Sequence, residues 1–178
     1  MTQDPKRQFV IQQAYEVFAR YGYSRTTMGD LAQAAGISRP ALYLVFPNKE
    51  DLFKAVIAWM SEQGLQQLAA ELDAFPDLES QLNHACLQWI LRGRQLASTY
   101  PDAADLFDTK FGAVTKLYGD FRNFLSSMLI RHGRDTAAAE DLAFLLMTSL
   151  KAFKSEIQDE AELRKIIALQ VSLIARAG

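Results

Sequence analysis

An all-α fold is what this 178-residue chain predicts, on three observations. Apolar residues recur at spacings of three and four along nearly the whole length. Glycine and proline fall between these stripes, where helices stop. No run sustains period-two alternation with β-branched enrichment, so no sheet is expected.

Each element has its own signal. Val10, Ala14, Val17, Phe18 and Tyr21 make one face of a first helix, and Gly22 is placed to end it with a positive φ. Thr27 opens a short second helix, with Asp30 at capping-box spacing, and Gly36 stops it. Ser38 caps a third helix with Arg39 and Pro40 in its first turn, where the missing proline N–H costs nothing. Pro47 breaks that helix. Asn48 caps a fourth, with Glu50 and Asp51 at its positive end, and Leu52, Phe53, Val56, Ile57, Met60, Leu68 and Leu72 carry its stripe toward Pro76. Further helices are expected at about 78–98, briefly after Pro101, at 112–132 with Val114, Leu117, Tyr118, Phe121, Leu125 and Met128, then at 136–154 and 159–176. That makes nine.

Composition is that of a globular protein, 49% hydrophobic and 22% charged. Met1 to Lys6 has no apolar core of a signal peptide, and no apolar run is long enough to span a bilayer, so no membrane partner is expected. Cys86 stands alone, which leaves no internal disulfide and suits a reducing cytoplasm. His84 and His132 have no partner at metal-ligand spacing, so neither a metal site nor a cofactor is expected. The net charge of −2 is silent about nucleic acid, but it is unevenly spread. Residues 1–54 hold seven Lys/Arg against five acids, a net of +2, and the rest carries −4. A basic head on an acidic body fits a DNA-reading module joined to a body of another function.

Residues 26–51 read TTMGDLAQAAGISRPALYLVFPNKED. Two short helices flanking Ala35-Gly36-Ile37 have the proportions of a helix-turn-helix. Ala32, Ala34, Ala35 and Ala41 are small enough for helices to cross closely, Ile37 plugs the core, and Ser38, Arg39 and Tyr43 face outward at the start of the second helix.

This run resembles the TetR family of transcriptional regulators. The resemblance is strongest over residues 9–57: a helix ending FARYGY, then TTMGDLAQAAGIS, then LYLVFPNKEDLF. Beyond residue 60 it is one of architecture. It implies about nine helices, with a helix-turn-helix DNA-binding domain over 1–47 and a helical ligand-binding and dimerisation domain over 48–178. Within the motif it implies that Thr26 and Thr27 offer hydroxyl and backbone N–H groups to a phosphate. Arg39, beside Ser38, would donate to a guanine or a phosphate, Tyr43 would reach a phosphate through its hydroxyl, and Lys49 would hold one. Leu42 and Phe46 would fix the recognition helix. Where family members often carry aromatic or histidine side chains, this chain has Leu44 and Val45, which shifts base readout toward Arg39 and contacts to thymine methyls. Outside this ordered run, the same arginine and lysine would read as solvated charges and Tyr43 as packing.

In the body, Trp59, Trp89, Phe107, Phe111, Tyr118, Phe121 and Met147 either line a cavity for a small apolar or aromatic effector or simply form core. His84, Cys86, Arg92 and Arg94 sit on the helix that borders the ligand site in the family. Leu142, Leu145, Leu146, Ser149 and Phe153, with Leu163, Ile166, Ile167, Gln170, Leu173 and Ile174, form two stripes suited to a bundle between two copies. The function implied is a ligand-responsive regulator, a repressor, acting as a homodimer on a palindromic double-stranded operator. The alternatives are a helical small-molecule-binding protein or enzyme with an incidental head, and a protein-binding adaptor. No nucleophile–base pair or glycine-rich phosphate loop supports an enzyme.

Overall fold

The computed structural model describes residues 4–176. Among them are eight α-helices, one 3-10 helix and no strand: α1 (Pro5–Arg25), α2 (Met28–Ala34), α3 (Arg39–Val45), α4 (Lys49–Leu72), α5 (Leu78–Thr99), the 3-10 helix Pro101–Phe107, α6 (Gly112–Arg131), α7 (Thr136–Glu156) and α8 (Glu160–Arg176). The segment expected as a short helix after Pro101 is the 3-10 helix. None of the described helices is long and apolar enough to cross a membrane.

The chain packs as two compact units, one of residues up to 62 with Gln95–Leu117, the other of Gln63–Arg94 with the chain from 118 on. In the first, Val10, Ala14, Phe18, Leu31, Leu42, Phe46, Phe53 and Ile57 are all buried. Phe18 meets Phe53 edge-on at 5.2 Å, and Phe111 closes on both Tyr23 (4.9 Å) and Phe53 (5.0 Å). Arg7 lays its guanidinium 4.6 Å from the centre of the Phe46 ring. Arg25 pairs with Asp102.

Two departures from the expected pattern occur in α1 and α4. Tyr21, on the expected stripe of α1, is 50% exposed. The next residue, Gly22, has a φ of 72° and a ψ of 164°, outside the helical region, so α1 kinks there before ending at Arg25. Helix α4 ends at Leu72, short of Pro76, in a turn where the Ala74 and Phe75 N–H groups donate to Glu71 O and Leu72 O.

In the second unit, Leu68, Leu82, Ile90, Phe121, Leu125, Met128, Leu146, Leu163 and Ile167 form a continuous buried core. Burial pushes the Cys86 thiol up to about 12, which leaves it inert near neutral pH. Arg94 donates to the carbonyls of Phe153, Lys154 and Ile157, closing the C-terminus of α7. The two stripes at the end of the chain divide. Leu146, Leu163 and Ile167 are fully buried, whereas Leu145 on α7 and Leu173 on α8 are 56% and 64% exposed. Phe144 and Leu169 join the exposed set.

Candidate nucleic-acid interface

Helix α2 starts on a reciprocal cap. The Asp30 N–H donates to Thr27 Oγ1 at 3.3 Å, and the Thr27 N–H donates to Asp30 Oδ2 at 2.8 Å. The Thr27 hydroxyl also donates to Asp30 Oδ2, at 2.7 Å. These bonds from Thr27, with the Arg39 guanidinium nearby, hold the Asp30 carboxyl below the usual carboxylate range.

The helix ends as cleanly. Gly36 takes a φ of +63°, its N–H donates to Gln33 O, and the Ile37 N–H reaches back to Ala32 O, the two bonds of a Schellman turn. A β-carbon at Gly36 would meet nothing within 4 Å, so backbone conformation alone selects glycine there. Immediately after, Ser38 Oγ accepts from the Ala41 N–H at 3.3 Å and begins α3.

Helix α3 is attached by Leu42, which is fully buried, and by Phe46 at its C-cap. Its other face is open: Ser38, Arg39 and Pro40 are exposed, Tyr43 is 46% exposed and Leu44 90%. A leucine with nine-tenths of its surface in water, on a helix held from its opposite side, is the least expected feature of this unit. Arg39 lies back against α2, where a β-carbon on Gly29 would stand 3.7 Å from its Nε.

The remaining expected DNA-facing residues are engaged inside the unit. Thr26 is 2% exposed, and its hydroxyl donates to Gly22 O at 2.7 Å. Both Thr26 and Thr27 therefore spend their hydroxyl protons on the protein. Lys49 follows the Asn48 cap, in which Asn48 Oδ1 accepts from the Asp51 N–H. Its Nζ donates to Tyr23 O at 2.8 Å and Thr26 O at 2.9 Å, and lies 4.1 Å from the centre of the Tyr23 ring. Neither Asp30 as the neighbour of Arg39 nor the carbonyls beneath Lys49 were anticipated; the capping-box spacing was the one available pointer to Asp30.

The seven candidate ligand residues fall into both units. Trp59, Phe107 and Phe111 belong to the first, and Trp89, Tyr118, Phe121 and Met147 to the second. Trp59 packs on Tyr15 at 5.4 Å, with its indole N–H buried and lacking a hydrogen-bond partner. In the second unit Trp89 contacts both Tyr118 and Phe121. Half-buried in the same unit, Glu71 accepts hydrogen bonds from His84 and Arg92.

Residues 10–56 match the family described as bacterial regulatory proteins, tetR family. The chain is similar to a probable acrEF/envCD operon repressor of Escherichia coli K12, at 40% identity over 65 residues, which are 36% of this chain and 29% of that one. It thus spans under a third of that relative's length. Its fold is similar to that of a transcriptional regulator from Cytophaga hutchinsonii, at a TM-score of 0.68, 24% identity and 97% coverage of both chains. It is likewise similar to the regulator FadR from Bacillus subtilis, solved in complex with stearoyl-CoA, at a TM-score of 0.63, 16% identity and coverage of 96% of this chain and 98% of that one. Residues 10–56 of the chain thus carry the N-terminal domain of the tetR family of bacterial regulatory proteins, within a helical fold that the chain shares over nearly its whole length with these solved structures.

Proposed function

We propose that this chain is a cytoplasmic transcriptional repressor that binds a palindromic operator as a homodimer and releases it in response to a small apolar or aromatic molecule. The observation that carries the DNA-binding reading is the open face of α3, which combines Arg39, Tyr43 and a leucine 90% in water behind a buried Leu42. Set in a major groove, Arg39 would take a guanine edge or a phosphate, Tyr43 a phosphate, and Leu44 the methyl of a thymine, with Ser38 at the helix entry. Residues 1–47 are assigned to this task, and 48–178 to ligand binding and dimerisation.

The exposed Phe144, Leu145, Leu169 and Leu173 on α7 and α8 support association of two copies. Trp59, Trp89, Phe107, Phe111, Tyr118, Phe121 and Met147 are the side chains from which an effector site would be drawn, and the stearoyl-CoA held by the Bacillus subtilis FadR fits an apolar effector. The effector would act by favouring an arrangement of the two heads that no longer fits successive major grooves.

Selection of duplexes from a randomised pool tests the reading. An inverted repeat should emerge, and Leu44→Ser should relax the preference at one thymine in each half-site by about 1–3 kcal/mol. Arg39→Ala should do so at a different position. Enrichment of no sequence by the folded protein, or unchanged preferences in both variants, would reject it.

A further inference from the structure

The ammonium group of the half-buried Lys49 is held by the protein itself. Two of its donors go to Tyr23 O and Thr26 O, at 2.8 and 2.9 Å, and the Tyr23 ring covers another side at 4.1 Å. Those carbonyls have a physical need for it. The kink at Gly22 and the end of α1 at Arg25 take this backbone out of helical pairing, and an unsatisfied carbonyl next to a buried residue such as Thr26 is costly. The Tyr23 carbonyl accepts from the Thr26 N–H as well, and the Thr26 hydroxyl ties back to Gly22 O. Lys49 is thus the link from the first turn of α4 to the corner between α1 and α2, and the residue following that corner, Thr27, is the cap of α2.

We propose that Lys49 is a positioning residue: it sets the α1–α2 corner, and through α2 the pose of the recognition helix, and it does not hold a DNA phosphate. The consequence for DNA rests on the reading above; the mechanical assignment does not. A phosphate contact supplies affinity without sequence information and releases a counterion. A positioning contact supplies sequence discrimination and leaves the counterion count alone.

Two measurements separate these. In the first, amide hydrogen exchange is followed in Lys49→Met and in Lys54→Met, which loses the same charge from an exposed ion pair with Glu50 on the same helix. Exchange at Thr26, Thr27 and Leu31 should quicken at least tenfold in Lys49→Met relative to Lys54→Met; equal rates overturn the assignment. In the second, binding is measured across a salt series to a duplex selected by the wild-type chain and to a random-sequence duplex. Lys49→Met should lose at least tenfold on the selected duplex and keep both its affinity and its salt slope on the random one. Equal loss on both duplexes, with a slope shallower by about one ion, would mean a phosphate contact. Thr26→Val removes the bond to Gly22 O from a position buried away from any DNA, so it should reproduce the selective loss, and wild-type binding by it would overturn the corner's role. If the wild-type chain selects no duplex, the DNA reading fails while the exchange result still decides what Lys49 does.

Discussion

The indole of Trp89 lies parallel to the ring of Phe121, with centroids 4.0 Å apart and planes 3° from each other. Phe121 is fully buried, and Tyr118 meets the indole from the side at 6.4 Å. Three of the aromatic residues expected to wall a ligand site therefore touch one another. Phe121→Ala should cost about 3–5 kcal/mol by chemical denaturation, through lost burial and the void it leaves. The emission of Trp89, resolved from that of Trp59 by Trp59→Phe, should shift to the red in the same variant. An unchanged spectrum would mean that the stack does not persist in solution.

Glu71 should make this protein acid-sensitive. Its carboxylate accepts from His84 Nε2 at 2.8 Å and from Arg92 Nη2 at 2.6 and 2.8 Å. The His84 bond first, and the Arg92 charge after it, hold its carboxyl below the usual range against the opposing effect of burial. A carboxylate with a depressed native pKa contributes stability above its unfolded value, and that contribution fades as pH falls through the native one. Glu71→Gln should therefore be less stable than wild type at pH 7, with the gap narrowing below about pH 4. Urea denaturation at both pH values measures it, and a constant gap would show that the charge of Glu71 is immaterial.

The corner at Gly22 should not accept a side chain. Its φ of 72° with ψ of 164° falls in a region that is essentially glycine-only, so Gly22→Ala should lose about 1–3 kcal/mol. The same substitution at Gly64, where a β-carbon meets nothing within 4 Å and the backbone is helical, should stabilise slightly. Thermal unfolding of the pair checks both signs at once.

Association should depend on the exposed face of the last two helices. Leu173→Glu and Phe144→Glu replace side chains that are 64% and 55% exposed, so neither should harm the fold of the chain. Light scattering should give twice the 20.0 kDa chain mass for wild type and the single mass for the variants. A dimer that survives both substitutions would put the interface elsewhere.

Much of the fold could be read in advance because its punctuation is local. Thr27 with Asp30, Ser38 and Asn48 mark helix starts through side chains three residues from the amides they cap, and Gly36 marks a stop by its own conformation. Leu42 and Phe46 were legible as anchors through the family resemblance, which implies that they fix the recognition helix. Lys49 was not legible, since its partners are carbonyl oxygens of residues 23 and 26 and no side-chain pattern records where a distant carbonyl points. Nor could periodicity distribute the aromatic residues. It shows that Phe121 turns inward, but not that it meets Trp89, and it does not show that Phe111 meets Tyr23 and Phe53.

The seven residues of α3 have a bearing on how such a protein could change its target. A helix of this length has no independent existence in water, and here it is kept by its Ser38 cap and the single buried Leu42, with Phe46 just past its end. Arg39, Tyr43 and Leu44 contribute little to that support, because they stand on the open side. On the proposed reading, substitutions among them would leave the head folded while altering what it reads, so that a lineage could drift from one operator to another without passing through an unfolded ancestor.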